Sequence, residues 1–220
     1  MMLCLVTDRR RLAGRAASPD RARQCLVAQV RHARDAGIDL VQLRERDLPA
    51  ADLAAIGREM VGITRGSRTK IVVNDRVDVA IACGADGVHL RGDSIDVRAV
   101  RAITPQGFIV GRSVHSTEET LRAGEVDYLV AGTVFATPSK PVAALLGLEG
   151  LAAIVRVARA PVLGIGGVTG ATVDRIARTG AAGIAAIGLF IGERPDEPCM
   201  PLVSLGERLR GAFDSVKTAP

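Results

Sequence analysis

The chain has 220 residues, close to the ~250 of a single eight-unit α/β barrel, and 48% of them are hydrophobic, enough for a full core. Aromatic residues make up only 2% with no Trp, the net charge is +5, and the longest basic cluster is Arg9-Arg10-Arg11; without stacking platforms or long basic runs, nucleic-acid binding is excluded as the main role. Those charges read as a solvated surface biased towards anionic substrates. Cys4, Cys25, Cys83 and Cys199 form no C-x-x-C pair and read as buried free thiols. The apolar run from Met1 to Val6 is too short for a signal peptide or a membrane span, so a cytoplasmic protein with no membrane partner is expected.

In chain order, eight short apolar runs read as buried strands at about residues 3–7, 39–44, 70–74, 87–90, 108–113, 128–133, 162–166 and 183–188. Helical patterns lie between them. Ser18-Pro19-Asp20 opens the first, with Ser as cap and Pro at the first helical position. Ser116-Thr117-Glu118-Glu119 is a capping box, and Thr169, after Gly166-Gly167, is read as the cap of the helix following strand 7. A phrase recurs at the strand entrances: Gly37-Ile38-Asp39, Gly84-Ala85-Asp86, Gly124-Glu125-Val126-Asp127 and Gly180-Ala181-Ala182. Its glycine supplies the left-handed helix end. Alternation through eight units predicts one α/β domain, a parallel (β/α)8 barrel over residues 1–216 with a frayed tail at 217–220; an open doubly wound sheet is the alternative.

In such barrels the C-terminal strand tips face the site. The tips read Thr7-Asp8, Gln42-Leu43-Arg44-Glu45-Arg46, Asn74-Asp75, His89 to Asp93, Arg112-Ser113-Val114-His115 and Thr137-Pro138-Ser139-Lys140. Clustered polar groups on an apolar scaffold mark a ligand site. Tips 7 and 8 differ, because Gly166-Gly167 and Ile187-Gly188 offer backbone amides suited to a phosphate. His89 reads as a structural hydrogen-bonding residue and His32 as solvated. Glu45 is read as ion-paired to Arg44 or Arg46, and Lys140 as a point charge for phosphate. Residues 138–147 are a candidate lid.

These residues, in this order, resemble the thiamine phosphate synthase/TenI superfamily. The resemblance rests on Gln42-Leu43-Arg44-Glu45, Asn74-Asp75-Arg76, Asp86 to Leu90, Thr137 to Lys140, Gly147-Leu148-Glu149-Gly150 and Gly164-Ile165-Gly166-Gly167. It implies a thiamine-biosynthesis enzyme acting on a small phosphorylated substrate, a thiazole phosphate. It also implies roles. Gln42, Arg44, Asn74 and Lys140 would hold a pyrimidine diphosphate, with Arg46 where the synthases carry Lys. Thr137 and Ser139 would contact the thiazole ligand, and Gly167 and Gly188 its phosphate.

Two reactions are consistent with the resemblance. A TenI-type tautomerase, the main reading, would use His115, within Gly111-Arg112-Ser113-Val114-His115-Ser116, as acid/base and need no cofactor. The synthase, the alternative, would couple hydroxymethylpyrimidine diphosphate with the thiazole phosphate and release pyrophosphate, with Mg2+ on Asp75 and Asp93. The synthase pattern after the strand-4 His-Leu is Gly-Gln-Glu-Asp; here Arg91-Gly92-Asp93-Ser94 sets the Asp one position early. A non-catalytic regulator that binds a phosphate ligand is a further alternative. The sequence leaves a homo-oligomer open.

Overall fold

The computed structural model describes residues 1–137, 145–191 and 202–217. Eight strands, β1 (Met2–Val6), β2 (Leu40–Leu43), β3 (Lys70–Asn74), β4 (Gly87–Leu90), β5 (Ile109–Val114), β6 (Tyr128–Gly132), β7 (Val162–Ile165) and β8 (Gly183–Ala186), pair in parallel and in sequence order. β8 closes on β1 with Cys4 opposite Ala185, so the sheet is the expected barrel and not the open doubly wound alternative. Around it lie α1 (Arg9–Ala13), α2 (Pro19–Asp35), α3 (Ala50–Thr64), α4 (Val77–Cys83), α5 (Val97–Ile103), α6 (Thr117–Leu121), α7 (Gly147–Val157), α8 (Val173–Ala177) and α9 (Leu202–Lys217).

Alternation along each strand divides the core in two. Cys4, Val6, Leu40, Val72, Tyr128, Val130, Leu163 and Ala185 fill the barrel interior. Their sequence neighbours, such as Leu3, Leu5, Val41 and Ile184, face the helices in a larger cluster with Leu26, Leu151 and Ile176. Each fully buried Leu or Val in that layer contributes roughly 1.5–3 kcal/mol. Tyr128, the chain's single Tyr, lies across Gly111, where a Cβ would stand only 2.1 Å from its Cζ. Glycine there makes room for the ring inside the barrel.

The recurring phrase has a second purpose besides ending helices, as Gly84 does at φ 69° for α4. Its Asp accepts a backbone N–H from the preceding strand. Asp39 Oδ2 takes Leu3 N–H at 2.8 Å, Asp86 Oδ2 takes Ile71 N–H at 2.8 Å, and Asp127 Oδ2 takes Val110 N–H at 2.6 Å. Each carboxylate also meets a basic side chain, Arg68 and Arg210, Lys70, or Arg101. The N-terminal face is thereby fastened for stability, which leaves the opposite face for chemistry.

Helix starts agree with the caps read from sequence at two places. Ser18 Oγ accepts from Arg21 N–H with Pro19 in the first turn, and Ser116 Oγ accepts from Glu119 N–H. The third is corrected. Thr172, not Thr169, stands before α8, and its Oγ1 accepts from Thr169 N–H at 2.9 Å, closing a turn without capping the helix. Gly166-Gly167 therefore runs into a turn rather than directly into a helix. The basic cluster is also corrected: it forms α1, and Arg9 is buried rather than solvated. Of the thiols, Cys4 and Cys83 are buried and Cys25 is half-buried; Cys199 lies outside the described residues. His32 is half-buried with a buried Nδ1 rather than solvated.

Candidate functional site at the C-terminal strand tips

The upper interior of the barrel is polar on one side. Gln42 from β2 donates through Nε2 to Asn74 Oδ1 at the end of β3, 3.0 Å away. His89 on β4 bonds on both ring nitrogens, Nδ1 to Tyr128 Oη at 3.0 Å and Nε2 to Ser113 Oγ at 2.9 Å. Burial pulls the His89 pKa down to about 4, so the ring is neutral at pH 7. With both nitrogens engaged, His89 is a fixed structural group, as read from the sequence, and it orients Ser113.

At the rim, the tips of β1 and β2 are joined by a buried ion cluster. Glu45 Oε1 accepts from Thr7 Oγ1 at 2.7 Å, and Glu45 Oε2 meets Arg9 Nη1 at 3.0 Å. Arg9 also grips Asp47 through two bonds of 2.7 Å. The partner of Glu45 is thus Arg9, not Arg44 or Arg46. Burial raises the Glu45 pKa while Thr7 and Arg9 oppose the rise. Arg9 holds Asp47 down at about 2. Fully bonded, Glu45 is a fastening and not a base. Arg44 is half-buried; burial first, then Arg46 beside it, lowers its pKa. Neither Arg44 nor Arg46 makes an ion pair among the described residues, so an anion bound there would offset that desolvation.

A cleft of about 230 Å³ opens at the tips of β2, β3 and β4, lined by Leu43, Arg46, Asn74, Asp75, Arg76 and Arg91 among others. Asp75 holds a left-handed backbone, φ 60°, with its N–H on His89 O at 2.8 Å. Non-glycine residues in that region carry strain and cluster at functional sites. One Asp75 oxygen accepts from Ser94 Oγ, and the other lies 3.3 Å from Arg91 Nε. Arg91 also grips Asp93 through two bonds of 3.0 Å. A guanidinium therefore lies between the two carboxylates.

On the opposite side, β7 pairs with β8 through Ile165 and Ala185, so Gly167 and Ile187 leave neighbouring strands at the same height. Gly166 and Gly167 have φ of 100° and 61°. A Cβ on Gly167 would stand 2.7 Å from Phe135 Cβ and 2.8 Å from Ala136 O. Gly188 opens a 3-10 turn whose Phe190 carbonyl is held by the buried Gln29. The Arg11 guanidinium stands over Gly188, its Nη2 3.1 Å from where a Cβ would be.

A family model described as thiamine monophosphate synthase matches residues 3–190. The chain belongs to the thiamine monophosphate synthase family. A thiamine-phosphate synthase of Caldanaerobacter subterraneus subsp. tengcongensis is 42% identical over 115 residues, 51% of this chain and 54% of that protein. One from Roseiflexus sp. (strain RS-1) is 41% identical over 148 residues, 66% and 59% of the two chains. The matched segments thus span little more than half the length of these curated relatives. Among solved structures, thiamine phosphate pyrophosphorylase from Pyrococcus furiosus superposes with a TM-score of 0.79 at 34% identity, covering 98% of this chain and 96% of that one.

Arg46, Asn74 and Asp75 line one cleft, and Gln42 bonds to Asn74 beside it; Ser113 bonds to His89 on the neighbouring strand. Thr137 is half-buried; Pro138, Ser139 and Lys140 lie outside the described residues, as does most of the candidate lid. His115 stands apart at the rim. Its side chain is 51% exposed, and its N–H and Nδ1 lie 2.7 and 3.3 Å from Glu119 Oε2. The tautomerase expectation finds no support in relatives that carry the synthase name. Nor do Asp75 and Asp93 compose a Mg2+ site. Mg2+ needs near-octahedral oxygen ligands at ~2.0–2.1 Å, whereas Ser94 and Arg91 occupy the oxygens of Asp75, and Arg91 those of Asp93. Among the described residues, no group of three or more His, Cys, Asp or Glu side chains is placed to hold a metal. Sequence reasoning missed Arg9, Arg11, Ser94 and Tyr128. The single Tyr, and a Ser at the place of the synthases' Asp after the strand-4 His-Leu, were the available signals. No helix among the described residues is long and apolar enough to cross a membrane.

Proposed function

We propose that the chain couples a hydroxymethylpyrimidine diphosphate to a thiazole phosphate. The C–O bond to the diphosphate breaks, pyrophosphate leaves with that electron pair, and the thiazole nitrogen forms the new C–N bond to the pyrimidine methylene. The observation that carries this reading is the cleft where Arg46, Asn74 and Arg91 converge, in a chain matched to the synthase family over residues 3–190. Cationic donors fixed around a leaving group stabilise the charge that develops on it. Arg44, Arg46 and Asn74 take the diphosphate, and Gln42 orients Asn74. The amides of Gly167 and Gly188 take the thiazole phosphate, with Arg11 as its counter-charge. Ser113, held by His89, faces the reacting centre. A regulator would need only the glycine cradle, and the charged cleft argues for chemistry instead.

The test is incubation of the purified chain with both substrates, following thiamine phosphate and pyrophosphate by chromatography. Equal amounts of the two products are expected. Binding of both substrates without any condensed product would contradict the reading.

A further inference from the structure

Asp75 faces the cleft with both carboxylate oxygens already engaged, by the Ser94 hydroxyl and by Arg91. Arg91 is anchored at several points. Its backbone N–H donates to Ser94 Oγ at 2.9 Å, its Nε lies 3.0 Å from Asp93 Oδ1 and 3.3 Å from Asp75 Oδ2, and its Nη2 lies 3.0 Å from Asp93 Oδ2. The loop beneath it is held as well, since Arg112 Nη2 donates to Gly92 O at 2.9 Å. A tethered cation thus sits between two carboxylates, beside Arg46 in the same cleft. Arg76, the third guanidinium there, is turned outward onto Asp78 through bonds of 2.9 and 2.6 Å. A divalent ion on Asp75 would stand against the positive charge of Arg91 and would share the carboxylate with the Ser94 hydroxyl.

We infer that Arg91 is a resident guanidinium that takes the place of a divalent ion on Asp75, so that this chain grips the diphosphate of its substrate without metal. The inference rests on the coupling reading for the identity of the substrate, but it concerns the anion and its cation alone. A planar guanidinium presents paired N–H donors that match two phosphate oxygens, which a carboxylate pair cannot offer without an added cation. Asp75 and Asp93 then aim the guanidinium, as carboxylates aim a metal-bound histidine in metalloenzymes. Arg46, in the turn after β2, lines the same cleft and supplies the second cation.

The test uses inorganic pyrophosphate and Mn2+ as probes on the full chain. By calorimetry, wild type is expected to bind pyrophosphate equally well in EDTA and in Mg2+, once complexation of pyrophosphate by Mg2+ in solution is subtracted. Arg91→Ala is expected to weaken that binding at least about tenfold, as expected for loss of a charge-assisted pair. The double variant Arg91→Gly/Ser94→Asp clears the guanidinium and restores a carboxylate. It is expected to gain one Mn2+ site by electron paramagnetic resonance that wild type lacks, a gain that misfolding cannot imitate. Pyrophosphate binding that requires Mg2+ in wild type, equal binding in Arg91→Ala, or equally tight Mn2+ binding in wild type would each overturn the inference. Turnover reports the coupling reading separately. Coupling that requires Mg2+ and survives Arg91→Ala removes the inference and keeps the reaction. Metal-free pyrophosphate binding lost in Arg91→Ala, with no coupling, keeps Arg91 and removes the reaction.

Discussion

The two halves of the barrel mouth are built by opposite means. At β2–β4 the tips carry side chains: Arg46, Asn74, Asp75 and Arg91 line the cleft, and the Thr7–Glu45–Arg9–Asp47 cluster fastens its edge. At β7 and β8 the tips are nearly bare backbone, Gly166, Gly167 and Gly188, with Arg11 leaning in from α1. The contrast suits two different tasks. A leaving diphosphate gathers charge as its bond breaks and calls for strong fixed cations. A spectator phosphate needs only steady anchoring, for which amides suffice.

Substitutions break that contrast in order of size. Glu45→Ala strips partners from the buried Arg9 and Thr7, while Asp47 keeps part of the Arg9 pairing; roughly 3–4 kcal/mol of stability should be lost in urea titration. His89 tests the interior beneath the charged half. Its folded pKa of about 4 lies below the ordinary 6.5, so its contribution is complete above 6.5 and is lost as pH falls from 6.5 towards 4. That loss amounts to up to about 3 kcal/mol. His89→Gln should flatten this slope in melts taken across that pH range, although from a lower starting stability.

Gly167→Ala tests the bare half. The added methyl meets Phe135 and Ala136 O at a φ of 61°, so about 2 kcal/mol should be lost together with thiazole phosphate binding. If binding survived while stability fell, the glycine would be a packing device alone. The smallest effect is expected at His115→Ala, where the side chain is half-exposed and unfolding should shift by less than about 0.5 kcal/mol.

The barrel was legible because its signals are local. Apolar runs, helix-ending glycines and caps at Ser18 and Ser116 each act within a few residues, and every strand fell within two residues of its expected place. Gln42, Asn74 and Asp75 were legible because a strand tip in a barrel has one destination. What sequence could not yield depends on neighbours across the sheet. Arg9 meets Glu45 only because β1 lies beside β2, so three consecutive arginines gave no sign that the first is buried. Tyr128 begins β6, far from its tip, yet the barrel's stagger brings its hydroxyl to His89 on β4. Arg91 was visible as a departure from the synthase pattern and its bonds to Asp93 are local, but its approach to Asp75 arises only because the tips of β3 and β4 are neighbours.

A crystal structure with thiazole phosphate and pyrophosphate bound together would test the division of labour most directly. The account predicts the ester phosphate on the amides of Gly167 and Gly188, and pyrophosphate between Arg46 and Arg91. Pyrophosphate seated on the glycines, or a cleft at β2–β4 left without anion at saturating concentration, would contradict it.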